Sequence, residues 1–352
     1  MPYKCWHILC LVLLIIVISV GCGSKPKVDI PEKDDTDEED VLEVDLPVEP
    51  QLPTVKSPLS GLQIPADLDG RRIMAVMVEN EYYSRPQSGL DKASVVYEAL
   101  AEGGITRFLA LYLDRPSEEI GPVRSSRPYF IDWAMEYDSI YVHYGASPQA
   151  YSDLGKLNIA AIDGIYDSNT FWRASSRKAP HNAYTSTEKL LTSSRQLKFR
   201  ETSNFKGLDW WDQDNSLEGE ELEEFSLTYF KDYKVSYKYD DEKKIYLRYI
   251  NNKPHTDHVT GETLSTKNII VQFVDTNVIP KDKEGRLSLK TVGFGKGYYI
   301  CDGEYINISW KKNARAAQTK FTLEDGTDLR LTPGNTWIQI LPQWGDFQKP
   351  SR

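Results

Sequence analysis

The chain is poor in cysteine. Four of its 352 residues are Cys, and three of these lie within the first 22 positions. Cys5 and Cys10 belong to a predicted leader segment that Cys22 ends, so Cys301 stands alone in the remaining sequence. A single thiol forms neither an internal disulfide nor a cysteine metal cluster, so a disulfide framework and a cysteine-ligated metal site are both excluded.

The chain also has no excess of positive charge. Its formal net charge is -10, and residues 24–56 alone hold eleven acidic side chains against four lysines. With Lys4 set aside, residues 57–352 therefore carry a balance of only -4. No basic surface of the size that nucleic acids require is expected, so nucleic acid is excluded as a partner.

The amino-terminal segment lacks a hydrophobic run long enough to span a membrane. The apolar run at residues 8–20 is shorter than the about 20 residues of a transmembrane helix. It follows a basic start at Lys4 and ends in Gly21 and Cys22, the pattern of a lipoprotein signal peptide whose cysteine is lipidated. We expect a lipid anchor on Cys22 that holds the protein on the extracytoplasmic face of the cell membrane, in a Gram-positive-type envelope.

Composition divides the remaining chain into segments. Residues 23–56 hold too little apolar sequence to fold, so they are predicted to form an acidic disordered tether. The rest predicts an α+β protein in two domains. Its parts are a layered α/β domain at 57–201, a linker at 202–224, a β-rich domain at 225–345 and a tail at 346–352.

Alternating strand and helix patterns define the predicted α/β domain. Nearly continuous apolar runs, typical of strands buried on both faces, occupy residues 72–79, 105–113 and 139–144. Residues 90–102 carry apolar side chains at helical spacing, and a second helix is predicted at 126–136, where Pro128 fits the first turn. A third helix is predicted to start at Ser147. This order predicts helices layered on a sheet.

From residue 225 onward the apolar side chains alternate with period two. Two such runs predict a hairpin that faces Val235, Tyr237 and Tyr239 on one strand with Ile245, Leu247 and Tyr249 on the other. Further strands are predicted at 268–275, 298–300, 305–310, 321–323 and 337–341. Their aromatic residues are interpreted as core. The polar loop with His255, Asp257 and His258 is interpreted as a solvated turn rather than a metal site.

Arginine is concentrated near predicted strand ends and helix starts. Residues 121–127 enter a helix and bring Arg124 and Arg127 beside free backbone N–H groups, an arrangement that binds anions. Arg107 and Arg173 lie near other strand ends, and their guanidinium groups suit carboxylate or phosphate oxygens. An internal ion-pair network is the alternative, because acids lie nearby in sequence. These acids are Glu98, Glu102, Asp132 and Asp163.

Two histidines offer acid–base chemistry. His143 ends a predicted strand at the carboxyl edge of the sheet, where open α/β folds bind ligands. His181 lies in a loop that Pro180 stiffens, next to Asn182. With Asp132 or Asp163 the two histidines could form an acid–base pair or hold a metal, but neither shows the local spacing of a ligand motif. We predict no metal and no cofactor.

Several segments of the chain resemble one protein family in their amino-acid sequence and in their order along the chain. They are RPQSGLDKASVVYEALAEGGITRFLALY, IGPVRSSRPYFID, SIYVHYGASP, FWRASSRKAPHNAYTS and PGNTWIQILP. Over about residues 58–342 the chain is similar to the YerB-like bacterial lipoproteins, which consist of two adjacent domains of unknown function. The resemblance implies a lipid-anchored surface protein with an α/β domain followed by a β-rich domain. It assigns no reaction, and its segments hold Arg85, Glu98, Glu102, Arg107, Arg124, Arg127, His143, Arg173, His181 and Asn182.

We therefore expect a cell-envelope binding or accessory protein whose α/β domain holds an anionic ligand, such as a wall phosphate or a peptide carboxylate. The expected ligand-binding residues are Arg107, Arg124, Arg127, Arg173, His181, Asn182, Glu98, Glu102 and His143. Two alternatives stay open: an envelope-polymer hydrolase that uses His143 and His181, and a scaffold that docks a membrane enzyme through the β-rich domain. A binding role is favoured over an enzymatic one. The expected partners are the membrane, through Cys22, and a wall polymer or a membrane protein.

Overall fold

The computed structural model describes residues 52–212, 217–231 and 233–349. The predicted signal peptide with Cys22, most of the predicted tether and part of the predicted linker lie outside these residues. Residues Gln51–Arg352 form one compact unit. Within the described ranges, no helix combines the length and the apolar character that crossing a membrane requires.

The first half of the described chain mixes short strands with α-helices. Its strands are β1 (Thr54–Lys56), β2 (Gln63–Pro65), β3 (Met74–Glu79), β4 (Val95–Leu100), β5 (Thr106–Tyr112), β6 (Ile140–His143), β7 (Ala161–Asp163), β8 (Trp172–Arg173) and β9 (Ala183–Tyr184). Its helices are α1 (Pro128–Glu136), α2 (Pro148–Lys156) and α3 (Thr187–Gln196). The helices predicted at 126–136 and from Ser147 are thus confirmed, because Pro128 opens α1 and the Ser147 hydroxyl accepts from the Ala150 N–H at the start of α2.

The second half is almost entirely β-structure. The strands before residue 270 are β10 (Glu220–Glu221), β11 (Glu224–Phe230), β12 (Tyr233–Asp240), β13 (Ile245–Ile250), β14 (Lys253–Pro254), β15 (Ser265–Thr266) and β16 (Asn268–Val274). The later strands are β17 (Thr276–Val278), β18 (Leu287–Leu289), β19 (Gly293–Cys301), β20 (Glu304–Lys312), β21 (Lys320–Thr322), β22 (Thr336–Pro342) and β23 (Asp346–Gln348).

One large sheet takes strands from both halves. Among the described residues it has eleven strands in the order β10-β20-β19-β16-β22-β4-β5-β3-β6-β7, with β21 paired to β20. β22 joins the two halves because it pairs in parallel with β16 on one side and with β4 on the other. At the other end, β3, β6 and β7 are also parallel to one another.

A smaller sheet of β11 to β15 with β23 carries the predicted hairpin. β12 and β13 pair as predicted, but the predicted facing residues are wrong by one position. Tyr237 lies opposite Arg248 and Tyr239 opposite Tyr246. A one-residue change of register exchanges the two faces of a strand, so the buried Arg248, which the alternating apolar pattern did not include, points inward.

Apolar side chains pack on both faces of the large sheet. Trp133 of α1 stacks on Tyr97 of β4 with ring centroids 5.3 Å apart. The neighbouring residue Val96 belongs to the core on the opposite face. Between the two sheets, Val271 of β16 packs in one cluster with Leu227 of β11. The strands in the middle of the large sheet are therefore buried on both sides, as their continuous apolar sequences require.

The helix predicted at 90–102 is wrong. A short 3-10 helix covers Leu90–Lys92, and the following residues form β4 between β22 and β5. A continuous apolar run satisfies helical spacing and a doubly buried strand equally well. Val95, Val96 and Tyr97 have the β-branched and aromatic side chains that strands favour.

The predicted fold class is confirmed: the first region is mixed α/β, and the second is β-rich. The large sheet nevertheless runs through both regions. The residue boundaries given above for the two domains and the linker stay a prediction.

Candidate functional site

The candidate site lies where three parallel strands end. β3 ends at Glu79, β6 at His143 and β7 at Asp163. Loops that follow the carboxyl ends of neighbouring parallel strands leave a crevice, which is the usual position of ligands in open α/β sheets. Most of the sequence-predicted ligand residues lie on these loops or on the facing end of β5.

Arg107 and Arg127 converge on one carboxylate. The Arg127 Nε donates to Glu102 Oε2 at 2.9 Å, and a second Arg127 nitrogen bonds the other oxygen of the same carboxylate. Arg107 Nη2 donates to Glu102 Oε1 at 3.2 Å, and its Nη1 donates to the Ser125 carbonyl oxygen at 2.7 Å. Burial lowers the pKa of both guanidinium groups. The single carboxylate between them offsets one of their two positive charges.

Arg124 is also paired. Its Nε lies 2.9 Å from Glu79 Oε1, and the Glu79 side chain is buried. Burial lowers the pKa of Arg124, and the Glu79 carboxylate opposes that shift. For Arg107, Arg124 and Arg127 the geometry therefore favours an internal ion-pair network over direct ligand binding.

Glu98 lies in the core between the two sheets. Its Oε2 accepts from Arg248 Nη2 at 2.7 Å, and its Oε1 accepts from the hydroxyls of Thr106 and Tyr233, each at 2.7 Å. The side chains of Glu98 and Arg248 are 0% and 1% exposed. A soluble ligand has no access to this carboxylate, so the geometry gives Glu98 a structural role.

His143 is buried as well. Its Nδ1 lies 2.9 Å from the Gly145 carbonyl oxygen and 3.8 Å from Asp163 Oδ1. Burial lowers the pKa of His143 against the opposing influence of Asp163. Its Nε2 has no hydrogen-bond partner among the described residues. The neutral ring is thus held with its Nδ1–H directed at a carbonyl, and it faces the core.

Asp132 occupies a different environment from either histidine. It accepts from Arg315 Nε at 2.6 Å and from the Thr291 hydroxyl at 2.6 Å. Burial raises the pKa of Asp132. Asp132, His143 and His181 share no hydrogen bond or ion pair with one another in the part of the chain that is described. Asp163 lies 3.8 Å from His143 Nδ1, but His143 and His181 do not contact each other, so the geometry does not bring the two histidines together as an acid–base pair.

His181, unlike His143, lies at the surface of the crevice. Its Nδ1 lies 3.0 Å from Glu79 Oε2 and 3.8 Å from Glu81 Oε2. The ring of Tyr83 is 6.3 Å away between centroids, and 72% of Tyr83 is exposed. His181 therefore joins the ion-pair network on one side and borders solvent on the other.

Asn182 holds the loop that carries Arg173. Its Oδ1 accepts from Arg173 Nη1 at 2.8 Å, and its Nδ2 donates to the carbonyl oxygens of Ala174 and Arg177. The Arg173 guanidinium lies over the Tyr144 ring at 4.4 Å from its centroid. Within the described residues, no carboxylate lies within ion-pair distance of Arg173. It is thus an exposed cation with neutral partners.

The crevice is also lined by Arg177, whose guanidinium suits anionic oxygens as those of Arg107 and Arg173 do, and by Lys178 and His258, for which no anion-binding role was predicted. A cavity of about 620 Å³ is bordered by Tyr83, Ser176, Arg177, Lys178, His181 and His258. Arg177 donates to the backbone carbonyl oxygens of Tyr83 and Pro86, and His258 enters from the second half through an N–H bond to the Gln87 carbonyl. Across the described ranges, Arg177 and Lys178 have no carboxylate within 4 Å.

The loop of His255, Asp257 and His258 is only in part the solvated turn that was expected. His255 and Asp257 are buried, and His258 is exposed. His255 accepts from Arg248 Nε at 3.0 Å, and its Nε2 bonds the Gln87 side chain at 2.7 Å. The described residues contain no group of three His, Cys, Asp or Glu side chains arranged to hold a metal.

A larger cavity of about 1000 Å³ lies away from this crevice. Its lining includes Trp211, Tyr305, Glu218, Glu324, Asp325 and Asp328. The predominance of carboxylates repels anions. The larger cavity is therefore not the candidate anion site. The smaller cavity is, because cationic side chains line it.

Two family models match the chain. They are described as the N-terminal domain and the C-terminal domain of a protein of unknown function (DUF3048), and they match residues 59–200 and 225–338. A Bacillus subtilis (strain 168) protein, YerB, whose name describes it as a lipoprotein, is 34% identical over 348 residues that cover 96% of each chain. The crystal structure of YerB from Bacillus subtilis matches with a TM-score of 0.75 and 34% identity, covering 84% of this chain and 100% of that one.

Proposed function

Since the chain belongs to the DUF3048 family, to which its two domain matches and its 34% identity with YerB assign it, we propose that it is a lipid-anchored extracytoplasmic protein that binds an anionic component of the cell envelope. The anchor is Cys22, at the end of the signal-peptide pattern. Two observations support a lipid anchor at this residue: the signal-peptide pattern itself, and the lipoprotein name of a relative that matches nearly the whole chain.

The observation that carries the binding proposal is the contrast between two sets of cations at one crevice. Arg107, Arg124 and Arg127 each form an ion pair with Glu79 or Glu102, so the two carboxylates offset two of these three positive charges. Lys178 lines the cavity, and Arg173 lies five residues before it on the same loop; both are exposed, and within the described residues neither has a carboxylate partner. Cations without counter-ions beside a cavity raise the local concentration of anions. The second set therefore binds the ligand, and the first set shapes the crevice.

The crevice suits a ligand that carries phosphate or carboxylate groups along a larger body. Arg173 and Lys178 offer charge-assisted hydrogen bonds to such groups. Tyr83 offers a flat, exposed ring at the cavity wall, and aromatic rings of this kind supply contact area at low entropic cost. An anionic wall polymer combines both features, so it is the ligand class that we propose.

The test removes two charges while leaving the fold intact. In the double variant Arg173→Gln with Lys178→Gln, the glutamine at 173 keeps an amide donor for Asn182. Retention of the full-length protein on purified wall fragments at low salt should fall by about tenfold or more, since each charge-assisted hydrogen bond contributes about 1.5–3 kcal/mol. The melting temperature should stay nearly unchanged, because exposed substitutions of this kind alter stability by about 0.5 kcal/mol or less.

The matched control is Lys198→Gln with Lys253→Gln, which removes the same charge from exposed sites outside the crevice. The control should retain binding. Equal losses in the two double variants would show a non-specific charge effect, and undiminished retention in the Arg173 and Lys178 variant would remove the crevice as the binding site.

A further inference from the structure

A second surface combines an exposed aromatic ring with lysines. Phe294 of β19 is 85% exposed. In the register of the large sheet it lies opposite Lys311 of β20, and Lys311 lies opposite Lys320 of β21. Lys296 follows Phe294 by two residues and so points to the same side of the strand. We name these four residues, Phe294, Lys296, Lys311 and Lys320, the lysine–phenylalanine face.

This face is the uncovered end of a buried surface. Further along β19, Tyr298 and Ile300 point to the same side and pack in the core with the smaller sheet. Phe294 and Lys296 lie beyond that cover and are exposed. The alternation is clear at Lys312, which points to the opposite side, where its Nζ donates to Glu136 at 2.6 Å. The side chains of the face therefore project into solvent.

The charge of the face is almost uncompensated. Within the described ranges, Lys296 and Lys311 have no carboxylate within 4 Å. Lys320 has one, Asp328, at 3.9 Å, and both side chains of that pair are more than half exposed. Solvent screens such a pair strongly. The face thus presents a cluster of positive charge around a large apolar ring.

We propose that the lysine–phenylalanine face contacts the surface of an anionic membrane. A bilayer interface offers acidic headgroups to the lysines and apolar carbon to the ring of Phe294 at the same place. A soluble polyanion would satisfy the lysines and leave the ring in water. The inference uses the membrane location of the proposed function but not the ligand crevice, which involves other residues.

Lysine acylation of the full-length protein, anchored in vesicles, tests this contact. One set of vesicles contains phosphatidylcholine alone, and the other adds phosphatidylglycerol. In the anionic vesicles, Lys296 and Lys311 should be acylated at least about threefold more slowly than in the phosphatidylcholine vesicles. The acidic headgroups attract each lysine to the membrane surface and so shield its amine from the reagent. Lys198 and Lys253, which are exposed elsewhere, should be acylated at the same rate in both.

One variant and one change of condition separate the apolar contribution from the charge. Phe294→Ser should restore part of the acylation rate of Lys311 in anionic vesicles, and high salt should restore most of that rate. Equal acylation of Lys296 and Lys311 in both vesicle types would overturn the proposal, as would equal slowing of all four lysines. Neither result bears on retention by wall fragments, so failure here and failure of the ligand crevice are distinguishable.

Discussion

Replacing Glu98 with glutamine removes one charge from a buried ion pair. The pair joins β4 of the large sheet to β13 of the smaller one, with 2.7 Å between Glu98 Oε2 and Arg248 Nη2. Because both side chains are almost fully buried, the substitution leaves the Arg248 guanidinium without its counter-ion in a non-aqueous environment. Breaking a buried pair in this way costs about 3–5 kcal/mol.

The hydrogen bonds around Glu98 indicate that the destabilisation by Glu98→Gln lies within that range. A glutamine oxygen can still accept from Thr106 and Tyr233, which both bond Glu98 Oε1. The amide nitrogen would then occupy the position of Oε2 and direct its hydrogens at the donating Arg248. Since a folded domain is stable by about 5–15 kcal/mol, a loss of about 3 kcal/mol is a large fraction of the total.

Urea unfolding followed by tryptophan fluorescence measures the effect. The control is Glu224→Gln, which removes a carboxylate from a half-exposed pair with Lys238 at 3.2 Å and should change the free energy of unfolding by about 1 kcal/mol or less. The double variant Glu98→Leu with Arg248→Met should recover part of the lost stability, because no buried charge remains unpaired while the hydroxyls of Thr106 and Tyr233 lose their acceptor. If Glu98→Gln lowered the free energy of unfolding by less than about 1 kcal/mol, the buried pair would not contribute to stability as stated here.

Three other predictions address single side chains. Burial lowers the pKa of His255 well below 6.5, so below about pH 6.5 the unfolded chain binds a proton that the folded chain does not, and the free energy of unfolding falls by up to about 1.4 kcal/mol per pH unit. In urea titrations at several pH values, His255→Gln should reduce that slope, and an unchanged slope would contradict a buried neutral His255. Arg127→Ala should lower the free energy of unfolding, measured in urea, by about 2 kcal/mol through loss of its bonds to Glu102, and it should preserve retention on wall fragments. Loss of retention with unchanged stability would instead show that Arg127 binds the ligand. Burial raises the pKa of the Cys301 thiol to about 12, so a thiol reagent at pH 8 should modify it only after unfolding, as measured by peptide mass spectrometry, and rapid modification of the folded protein would argue against burial.

Local patterns predicted much of the secondary structure. Pro128 and Ser147 mark the starts of α1 and α2, and period-two alternation predicted the hairpin of β12 and β13. These signals succeed because capping and turn chemistry act over a few residues. They fail for β4, whose strand identity depends on β22, about 240 residues away in the sequence.

The candidate site was harder to predict because its charges are decided by distant partners. Glu98, a predicted ligand residue, instead pairs in the core with Arg248 from 150 positions away, and His181 of the crevice pairs with Glu79 from 102 positions away. One local signal was present: residues 168–187 contain no Asp or Glu and hold Arg173, Arg177, Lys178 and His181. The contribution of His258 to the same cavity had no such signal, since only the tertiary fold brings it there.

Hydrogen exchange of the full-length protein, measured at low salt with and without purified wall fragments, shows whether the crevice binds an anionic wall polymer. When fragments are added, we expect slower exchange in residues 176–181 and around His258, which border the cavity. Residues 293–312 should exchange at the same rate in both samples, since they belong to the other proposed surface. Unchanged exchange at the cavity, or protection confined to a different part of the body, would contradict the assignment of the ligand crevice.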